Sequence, residues 1–413
     1  MNKSLSPTLS QDRIATLDIL RGFAIFGILI VNMMWFNSPL PSLISDNSIW
    51  TSPADQATKF MITFLFEGKF YVLFSMLFGY GFWLFLNKPN PEGKSILRLY
   101  AMRLFILLLF GIAHVLLLWP GDILIFYALL GFVLMLFRKV KDRTLIVWAI
   151  ILIMVPVALI GLGVLVTLIP EAQMAMEQAM VEQDRIFNNM INKALIVYRE
   201  GTFGEMMMMR LREYSLVVNG FLFFHVNILA MFLIGQYAAR KGYLKNIPEH
   251  LPLFRKLCLW GFIIGIPAAL FGAYATVFHD IYGANPVALL ALFLGSFGSP
   301  ALSLAYVSGI ILLIHNGYLA RLKVWLAAVG RMALTNYLLH SIIASFLFYG
   351  YGFGWYGQMP PWLGLIPVFV IFGLQIPFSI YWLKHFRFGP FEWLWRSLTY
   401  LKWQPMKRLT IDD

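Results

Sequence analysis

His114 and Asp122 are the two residues whose types and spacing best suit acid–base chemistry. His114 lies near the end of a long apolar run, and the turn at 119–122 reverses the chain so that Asp122 opens the next run. An imidazole oriented by a carboxylate can act as a general base. The same residues also have structural roles open to them, because a membrane histidine often packs between helices and Asp122 is a good N-cap. Spacing alone leaves both interpretations open.

A second charged group surrounds Gly68. Asp55, Glu67 and Lys69 precede or open an apolar run. A carboxylate and an ammonium two residues apart do not share a helix face, but a break at Gly68 would let both point inward. The alternative is a set of interfacial charges whose side chains extend to water.

Asp18 and Arg21 open the first apolar run and lie three residues apart, so they share one helix face. The arginine fork suits recognition of phosphate, since it donates two parallel hydrogen bonds. The alternative is an ion pair that fixes the start of the helix at the membrane interface.

Less strongly polar pairs occur in later apolar runs. His225 and Gln236 fall near one helix face, as do Asn336 and His340. Each pair could line an internal cavity or join neighbouring helices by hydrogen bonds. Residues 295–300, rich in Gly, Ser and Pro, predict a loosened or broken helix, and such breaks occur in membranes where protein or a watery cavity surrounds them.

The composition shows which elements must hold these residues. The chain is 60% hydrophobic and only 13% charged, whereas a soluble globular protein carries about 25% charged residues. Its mean hydropathy is +0.74. We therefore predict an all-α, polytopic membrane bundle with about ten spans of roughly 20 residues. The predicted spans are 17–36, 69–87, 98–119, 122–138, 144–168, 216–238, 257–278, 287–315, 327–349 and 363–384.

The distribution of charge predicts the topology. The net charge is +12, and we place 24 of the 32 Lys and Arg residues in segments on one side. The loops at 37–57, 279–286 and 350–362 contain no Lys or Arg. Both termini are therefore predicted to be cytoplasmic, with the positive charge facing anionic lipids. This pattern excludes a nucleic-acid partner, and the single cysteine, Cys258, removes any Cys-based metal cluster. We expect no metal.

We predict one membrane domain over residues 1–413. The first apolar run is a permanent span and not a cleavable signal peptide, because it is full length and opens with charged residues. Residues 170–215 are predicted to form an extracytoplasmic amphipathic segment, in two pieces broken at 201–204. Residues 385–413 are predicted to form a cytoplasmic tail at the membrane interface, rich in Trp, Phe and Arg.

Several sequence blocks together resemble one family. They are residues 13–24 and 31–33, 67–70 and 77–81, 111–114 and 121–124, 330–337, and 388–396. The set, spread over nearly the whole chain, resembles the YeiB-like bacterial membrane proteins, which carry domain of unknown function number 418. The opening block also resembles that of the transmembrane acyltransferase superfamily, which includes heparan-alpha-glucosaminide N-acetyltransferase.

The superfamily resemblance implies that cytoplasmic acyl-CoA or acetyl-CoA supplies an acyl group to a hydroxyl or amine acceptor on the far side, with a histidine at the centre. In the heparan enzyme that histidine lies in the loop after the first span. Loop 37–57 here has no histidine, so we hypothesise that His114 replaces it, oriented by Asp122.

The same hypothesis assigns the remaining polar residues. Arg21, Arg98, Arg103 and Arg331, with Asp18, would bind the CoA phosphates. Lys69 or Asn32 would stabilise the oxyanion, with Glu67 beside Lys69. His225, Asn336 and His340 would line the substrate cavity.

A transporter, or a membrane protein that binds lipid or small molecules, could use the same residues to line a route. The expected partners are membrane lipids and a small-molecule or glycan acceptor, and a homodimer is left open. A CoA-sized basic cleft at the inner face that leads to His114 would favour the enzyme. A cavity open only to the outside would favour the alternative.

Overall fold

The computed structural model describes residues 14–408 apart from 46, 89–94, 221, 280 and 282, and the side chains of residues 220–224 are also outside its description. Three of the basic residues counted toward the inner side, Lys3, Arg13 and Lys94, lie outside the described residues.

Helices account for the regular structure, and the described residues contain no strand. The α-helices are α1 (Ala15–Phe36), α2 (Leu40–Leu43), α3 (Pro53–Leu65), α4 (Lys69–Leu86), α5 (Ile96–Leu117), α6 (Leu124–Leu134), α7 (Asp142–Val166), α8 (Pro170–Glu200), α9 (Phe203–Gly220), α10 (Leu222–Arg240), α11 (Leu251–Phe278), α12 (Pro286–His315), α13 (Ala320–Arg331), α14 (Ala333–Phe348), α15 (Pro361–His385) and α16 (Pro390–Tyr400). The prediction of an all-α, polytopic protein is confirmed.

Each predicted span coincides with a helix or with two consecutive helices. Within the described residues, seven helical stretches are long and apolar enough to cross a membrane. These seven are Ala15–Phe36, Pro53–Leu86, Ile96–Leu117, Asp142–Val166, Ile247–Phe278, Pro286–His315 and Pro361–His385. The predicted spans at 122–138, 216–238 and 327–349 correspond to shorter helices.

The predicted break at 295–300 is wrong, because α12 continues through Pro300 as one helix. A break in hydrocarbon would leave backbone groups without hydrogen bonds, which is costly. The small residues serve helix packing instead: a Cβ added at Gly298 would meet Ala268 of α11. The predicted single span at 327–349 is divided into α13 and α14, with Met332 between them.

Helix α1 is the centre of the bundle and packs against α4, α13, α14 and α15. Its crossing with α13 is close enough to require glycine on both helices. A Cβ at Gly22 would overlap the carbonyl oxygen of Leu326, and one at Gly330 would overlap that of Asp18. Small residues at such crossings let membrane helices associate through van der Waals contact.

The bundle has two ends, formed by different segments of the chain. The end with the starts of α1, α5, α14 and α16 carries the first described residues and the C-terminal helix, and we call it the inner end, following the predicted topology. The opposite, outer end contains residues 37–50, the α5–α6 turn and residues 349–360. Helices α8 and α9 cover the outer end: the Gly350 amide donates to the Tyr198 carbonyl over 2.8 Å.

Two predicted helix breaks are present. Gly68, between α3 and α4, has φ of 84°, a left-handed conformation that glycine adopts without strain. The amphipathic segment is divided at Gly201 and Thr202, between α8 and α9.

Candidate functional site

The His114 and Asp122 side chains are in direct contact inside the protein. His114 Nδ1 and Asp122 Oδ2 are 2.8 Å apart, and neither side chain is exposed to solvent. The other carboxylate oxygen, Oδ1, accepts a hydrogen bond of 2.8 Å from the Ile125 amide at the start of α6. Asp122 therefore accepts a hydrogen bond at the start of α6 and contacts His114 at the same time. The role of His114 as a general base stays a prediction.

Ser341 completes a chain of three side chains. Its hydroxyl Oγ lies 2.7 Å from His114 Nε2, and the residue is 0% exposed. An ionised carboxylate can only accept hydrogen bonds, so the Asp122 contact favours a proton on Nδ1 and leaves Nε2 to accept from the serine hydroxyl. The result is an Asp–His–Ser arrangement in which serine could serve as a nucleophile.

The α5–α6 hairpin owes its tight closure to Gly111. A Cβ there would come within 2.9 Å of Asp122 Oδ1 and 2.7 Å of the Ile125 nitrogen. Trp119 closes the outer side of the hairpin, with its ring centroid 6.2 Å from that of His114. On the other side the Tyr337 ring lies 5.4 Å from the His114 ring, between centroids. The three polar side chains are thus enclosed by aromatic groups.

Sequence reasoning missed Ser341. The hydroxyl is 227 positions away from His114 in the chain, and serines in apolar helices often bond only to their own backbone. The available signal was its position next to His340, in a helix that also holds Thr335, Asn336 and Ser345.

Lys69 and Glu67 lie together at the α3–α4 break, but both have local partners. The Lys69 ammonium donates a hydrogen bond of 2.6 Å to the Thr63 carbonyl. Glu67 Oε2 accepts a hydrogen bond of 2.7 Å from the Thr63 hydroxyl. In the described part of the chain, no hydrogen bond or ion pair joins either residue to His114. The structure therefore does not bring these two predicted catalytic residues into contact with His114, Asp122 or Ser341.

At the inner end, Asp18 and Arg21 form the predicted ion pair, with 3.2 Å between Oδ1 and Nη1. Asp18 is buried, whereas the Arg21 side chain is 31% exposed. Arg21 is also an electrostatic neighbour of Arg103 on α5. Arg21 therefore contacts a carboxylate on its own helix and lies near a second arginine on α5.

Arg103 belongs to a group of four cations that we call the inner basic cluster: Arg21, Lys88, Arg103 and Arg396. The Arg103 guanidinium lies 3.7 Å from the centroid of the Trp395 ring, and the Trp395 indole donates a hydrogen bond of 2.8 Å to the Arg103 carbonyl. Burial, with Arg396 and Arg103 nearby, lowers the pKa of Lys88 to about 8. Like charges gathered in this way favour an anionic ligand.

The inner basic cluster and His114 are connected by one helix. Arg103 and His114 are separated by about three turns of α5 and so lie on one face, roughly 16 Å apart along the axis. Leu107 and Gly111, buried on the same face, lie between them. Arg98 is exposed at the start of α5, and Arg331 is half-buried at the end of α13, beside the α1–α13 crossing.

The predicted cavity residues serve mainly as contacts between helices. His340 Nε2 lies 2.9 Å from Gln375 Oε1 on α15, and the Gln375 amide donates over 3.0 Å to the Asn336 carbonyl. His225 stacks on Phe126, with 3.4 Å between ring centroids. Asn32 is half-buried on α1.

Two clefts lie at the outer end, and neither is lined by these four residues. The first lies between α1 and the start of α15 and includes Met33, Asn37 and Trp50. The second is lined in part by Trp119, Glu213, Tyr349 and Tyr356, and we call it the Glu213 cleft. Glu213 was also missed in the sequence, where it falls in the predicted amphipathic segment 170–215.

A family profile described as "Protein of unknown function (DUF418)" matches residues 238–402. The chain is 37% identical to the uncharacterized protein YxaH of Bacillus subtilis, over 98% of this chain and 99% of that protein. It is 32% identical to the uncharacterized protein YeiB of Escherichia coli, over 94% of this chain and 97% of that protein.

An uncharacterized 39.9 kDa protein of Bacillus acidopullulyticus, named for its place in the amylase 3′ region, is 28% identical over 96% of each chain. No solved structure matches significantly. The similarity therefore extends from end to end, and the names of these relatives state no activity.

Proposed function

This chain belongs to the YeiB-like DUF418 family of multi-pass membrane proteins, and we propose that it is a membrane-embedded acyltransferase with His114 at its centre. The donor is acyl-CoA or acetyl-CoA, bound at the inner end. The acceptor is a hydroxyl or amine, of a small molecule or a glycan, that enters from the outer end. The membrane is the bacterial cytoplasmic membrane.

The observation that carries the proposal is the Asp122–His114–Ser341 arrangement. Its two contacts, of 2.8 and 2.7 Å, lie within the range expected of a nucleophile and its general base. The enclosed setting also strengthens the electrostatic interactions of the group.

These residues can complete an acyl transfer without a net change in their own protonation. Ser341 Oγ attacks the thioester carbonyl while His114 Nε2 takes the serine proton. As the carbon–sulfur bond breaks, His114 returns that proton to the CoA sulfur, which leaves an ester on Ser341. The acceptor then attacks this ester, gives its proton to His114, and Ser341 recovers a proton as the acyl-acceptor bond is completed.

The inner basic cluster supports the choice of a CoA donor. Arg21, Lys88, Arg103 and Arg396 present several cations, and arginine forks recognise phosphate well. The common face of α5 joins this cluster to His114, so a nucleotide bound at Arg103 would direct its flexible arm toward the imidazole. Asp18, Arg98 and Arg331 border the same end of the bundle.

In the proposal, Lys69 or Asn32 would act only by donating a hydrogen bond to the oxyanion. Lys69 is held by the Thr63 carbonyl, so this role requires its ammonium to exchange that contact for the oxyanion. The His114 chemistry does not depend on that exchange.

The experiment uses the full-length protein purified in detergent or nanodiscs. Incubation with acetyl-CoA or longer acyl-CoA should release free CoA thiol, and His114→Ala should abolish the release. Ser379→Ala, which removes a buried serine of α15 that donates no bond to His114, is the matched control. Equal release by wild type and His114→Ala, both folded, would exclude the proposed site.

One observation favours a second candidate function. The two clefts described above lie at the outer end, while the charged groups at the inner end pack against Trp395 and Phe85. An outward cleft suits a transporter, or a protein that binds lipids or small molecules, without acyl transfer. Under that function, ligand binding would persist in His114→Ala and no acyl-CoA would be consumed.

A further inference from the structure

We propose that the outer end holds a second binding site, in which Arg210 binds a carboxylate or phosphate group of a ligand that occupies the Glu213 cleft. The binding itself is independent of the chemistry at His114. We further identify this ligand as the acyl acceptor, and that identification alone rests on the proposed function.

Arg210 is a fully buried cation with little compensation from protein groups. It lies on α9 and is 0% exposed. Its Nε donates a hydrogen bond of 3.2 Å to the Met206 carbonyl of the same helix. Neither Nη1 nor Nη2 has a hydrogen-bond partner among the described residues. A buried charge without partners costs several kcal/mol, so these nitrogens call for an acceptor.

The groups nearest the guanidinium are aromatic. Its central carbon lies 5.0 Å from the ring centroid of Phe203 and 5.9 Å from that of Tyr349. Ring faces attract a cation, but they do not saturate the N–H groups that point outward in the guanidinium plane. That free edge, with two nitrogens side by side, matches the paired oxygens of a carboxylate or phosphate.

Glu213, one turn further along α9, does not fill this need because its oxygens have other partners. Oε1 accepts a hydrogen bond of 2.9 Å from the Leu40 amide. Oε2 accepts one of 2.7 Å from the Tyr198 hydroxyl. Burial also raises the pKa of Glu213 to about 7. Near neutral pH a large fraction of this carboxyl is therefore uncharged, which reduces its repulsion of an incoming anion.

Tyr349 links Arg210 to the cleft. Its ring is beside the guanidinium, and the same residue lines the Glu213 cleft with Trp119 and Tyr356. Trp119 in turn contacts the His114 ring. Two residues that line the cleft therefore make these contacts: Tyr349 lies beside Arg210, and Trp119 lies beside His114. A ligand held at Arg210 by its acidic group can direct its other end toward His114.

The test compares oxyanions with chloride on the full-length protein. Sodium phosphate and sodium acetate are titrated against sodium chloride at equal ionic strength, and the midpoint of thermal unfolding, Tm, is recorded. We expect phosphate or acetate to raise Tm in wild type more than chloride does, because a ligand that binds only the folded state stabilises it. No difference between these anions and chloride would overturn the proposal.

Variants assign the effect to Arg210. Arg210→Gln should weaken the apparent anion affinity about tenfold or more, which is about 1.4 kcal/mol. Arg212→Gln is the matched control, because Arg212 is exposed on the same helix, and should bind as wild type does. Arg210→Lys keeps the positive charge but cannot donate two parallel hydrogen bonds. It replaces Arg210→Gln in the test if that variant does not fold. An unchanged affinity in whichever Arg210 variant folds would contradict the site.

A second arm identifies the source of the oxyanion. The protein is placed in nanodiscs of phosphatidylglycerol, or of a phosphate-free galactolipid. A lipid headgroup as the ligand predicts that soluble phosphate raises Tm only in galactolipid, whereas a soluble ligand predicts the same rise in both. Either result with dependence on Arg210 supports the site, and a rise in neither overturns it. If wild type binds the anion through Arg210 but transfers no acyl group, only the proposed function is refuted.

Discussion

Ser341 Oγ lies 2.7 Å from His114 Nε2, and this contact joins α14 to α5 at the place where Asp122 holds the opposite edge of the imidazole. Three segments of the chain are thus joined by two short hydrogen bonds inside the bundle. The order of the groups, carboxylate, imidazole and hydroxyl, permits a proton to move from the serine to the histidine while the carboxylate stabilises the resulting charge.

Replacement of Ser341 by alanine tests the nucleophile. We expect acyl transfer to fall about 10²-fold or more, while the loss of one buried hydrogen bond reduces stability by only about 1 kcal/mol. The readouts are release of CoA thiol and Tm. Ser345→Ala, one turn further along α14, removes a hydroxyl that bonds to the Ile342 carbonyl and to Tyr351 and makes no hydrogen bond to His114 in the described residues. It should retain activity, and an equal loss in both variants would indicate a packing effect.

Asp122→Asn tests the orientation of His114. The asparagine carbonyl can still accept from the Ile125 amide and cap α6, so the fold should persist. Its amide nitrogen would instead donate to Nδ1 and favour the tautomer with the proton on Nε2, which cannot accept from Ser341. We expect activity to fall about 10³- to 10⁴-fold with little change in Tm. Activity close to wild type would show that Asp122 is only a helix cap.

The inner basic cluster should govern the affinity for acyl-CoA. Arg103→Gln should raise KM for acyl-CoA about tenfold, with a smaller change in kcat, because the contact lies far from the reacting atoms. CoA should also protect wild type against heat more strongly than it protects the variant. Lys402→Gln, at an exposed lysine near the same end, is the control. An unchanged KM in Arg103→Gln would place the donor elsewhere.

The Lys88 ammonium gives this binding a dependence on pH. Burial and the neighbouring arginines lower the pKa of Lys88 to about 8, from 10.5 in an unfolded chain. The folded state therefore binds fewer protons between these values, and stability should rise as pH increases from about 8 to 10.5. A bound polyanion favours the charged lysine, so acyl-CoA affinity should fall above pH 8. Lys88→Gln should remove both effects, as measured by Tm and by CoA titration.

Glu213 should give the opposite trend at lower pH. Burial raises the pKa of Glu213 from 4.5 to about 7, so the folded state holds an extra proton between those values. Stability should therefore fall as pH increases from about 4.5 to 7, by about 3 kcal/mol in total. Glu213→Gln, which remains neutral, should flatten this part of the profile of Tm against pH. The same slope in the variant would assign the effect to another group.

The sequence predicted those features that depend on local order. The membrane class, the helix at each span and the contact between His114 and Asp122 all follow from apolar runs or from a short hairpin. The pair is only eight residues apart, and Gly111 allows the hairpin to close. The ion pair of Asp18 and Arg21 follows in the same way from helix periodicity.

The remaining features depend on how distant helices meet. Ser341 lies against His114 because of the way in which α14 is rotated and positioned along the bundle relative to α5. No local sequence pattern predicts that placement. Gly298 and Pro300 predicted a helix break, but α12 is continuous. Gly298 instead allows α11 to pack closely against α12. Arg210 falls in the predicted amphipathic segment 170–215, and its burial could not be predicted because it depends on contact with Tyr349 from a different part of the chain.

The most direct test of the central claim is mass spectrometry of the peptide that contains Ser341, after the purified protein is mixed with acetyl-CoA or longer acyl-CoA in the absence of acceptor. An acyl group on Ser341 in wild type, absent from His114→Ala of equal Tm, is the predicted result. Unmodified Ser341 in wild type, together with equal release of CoA by His114→Ala, would contradict the account.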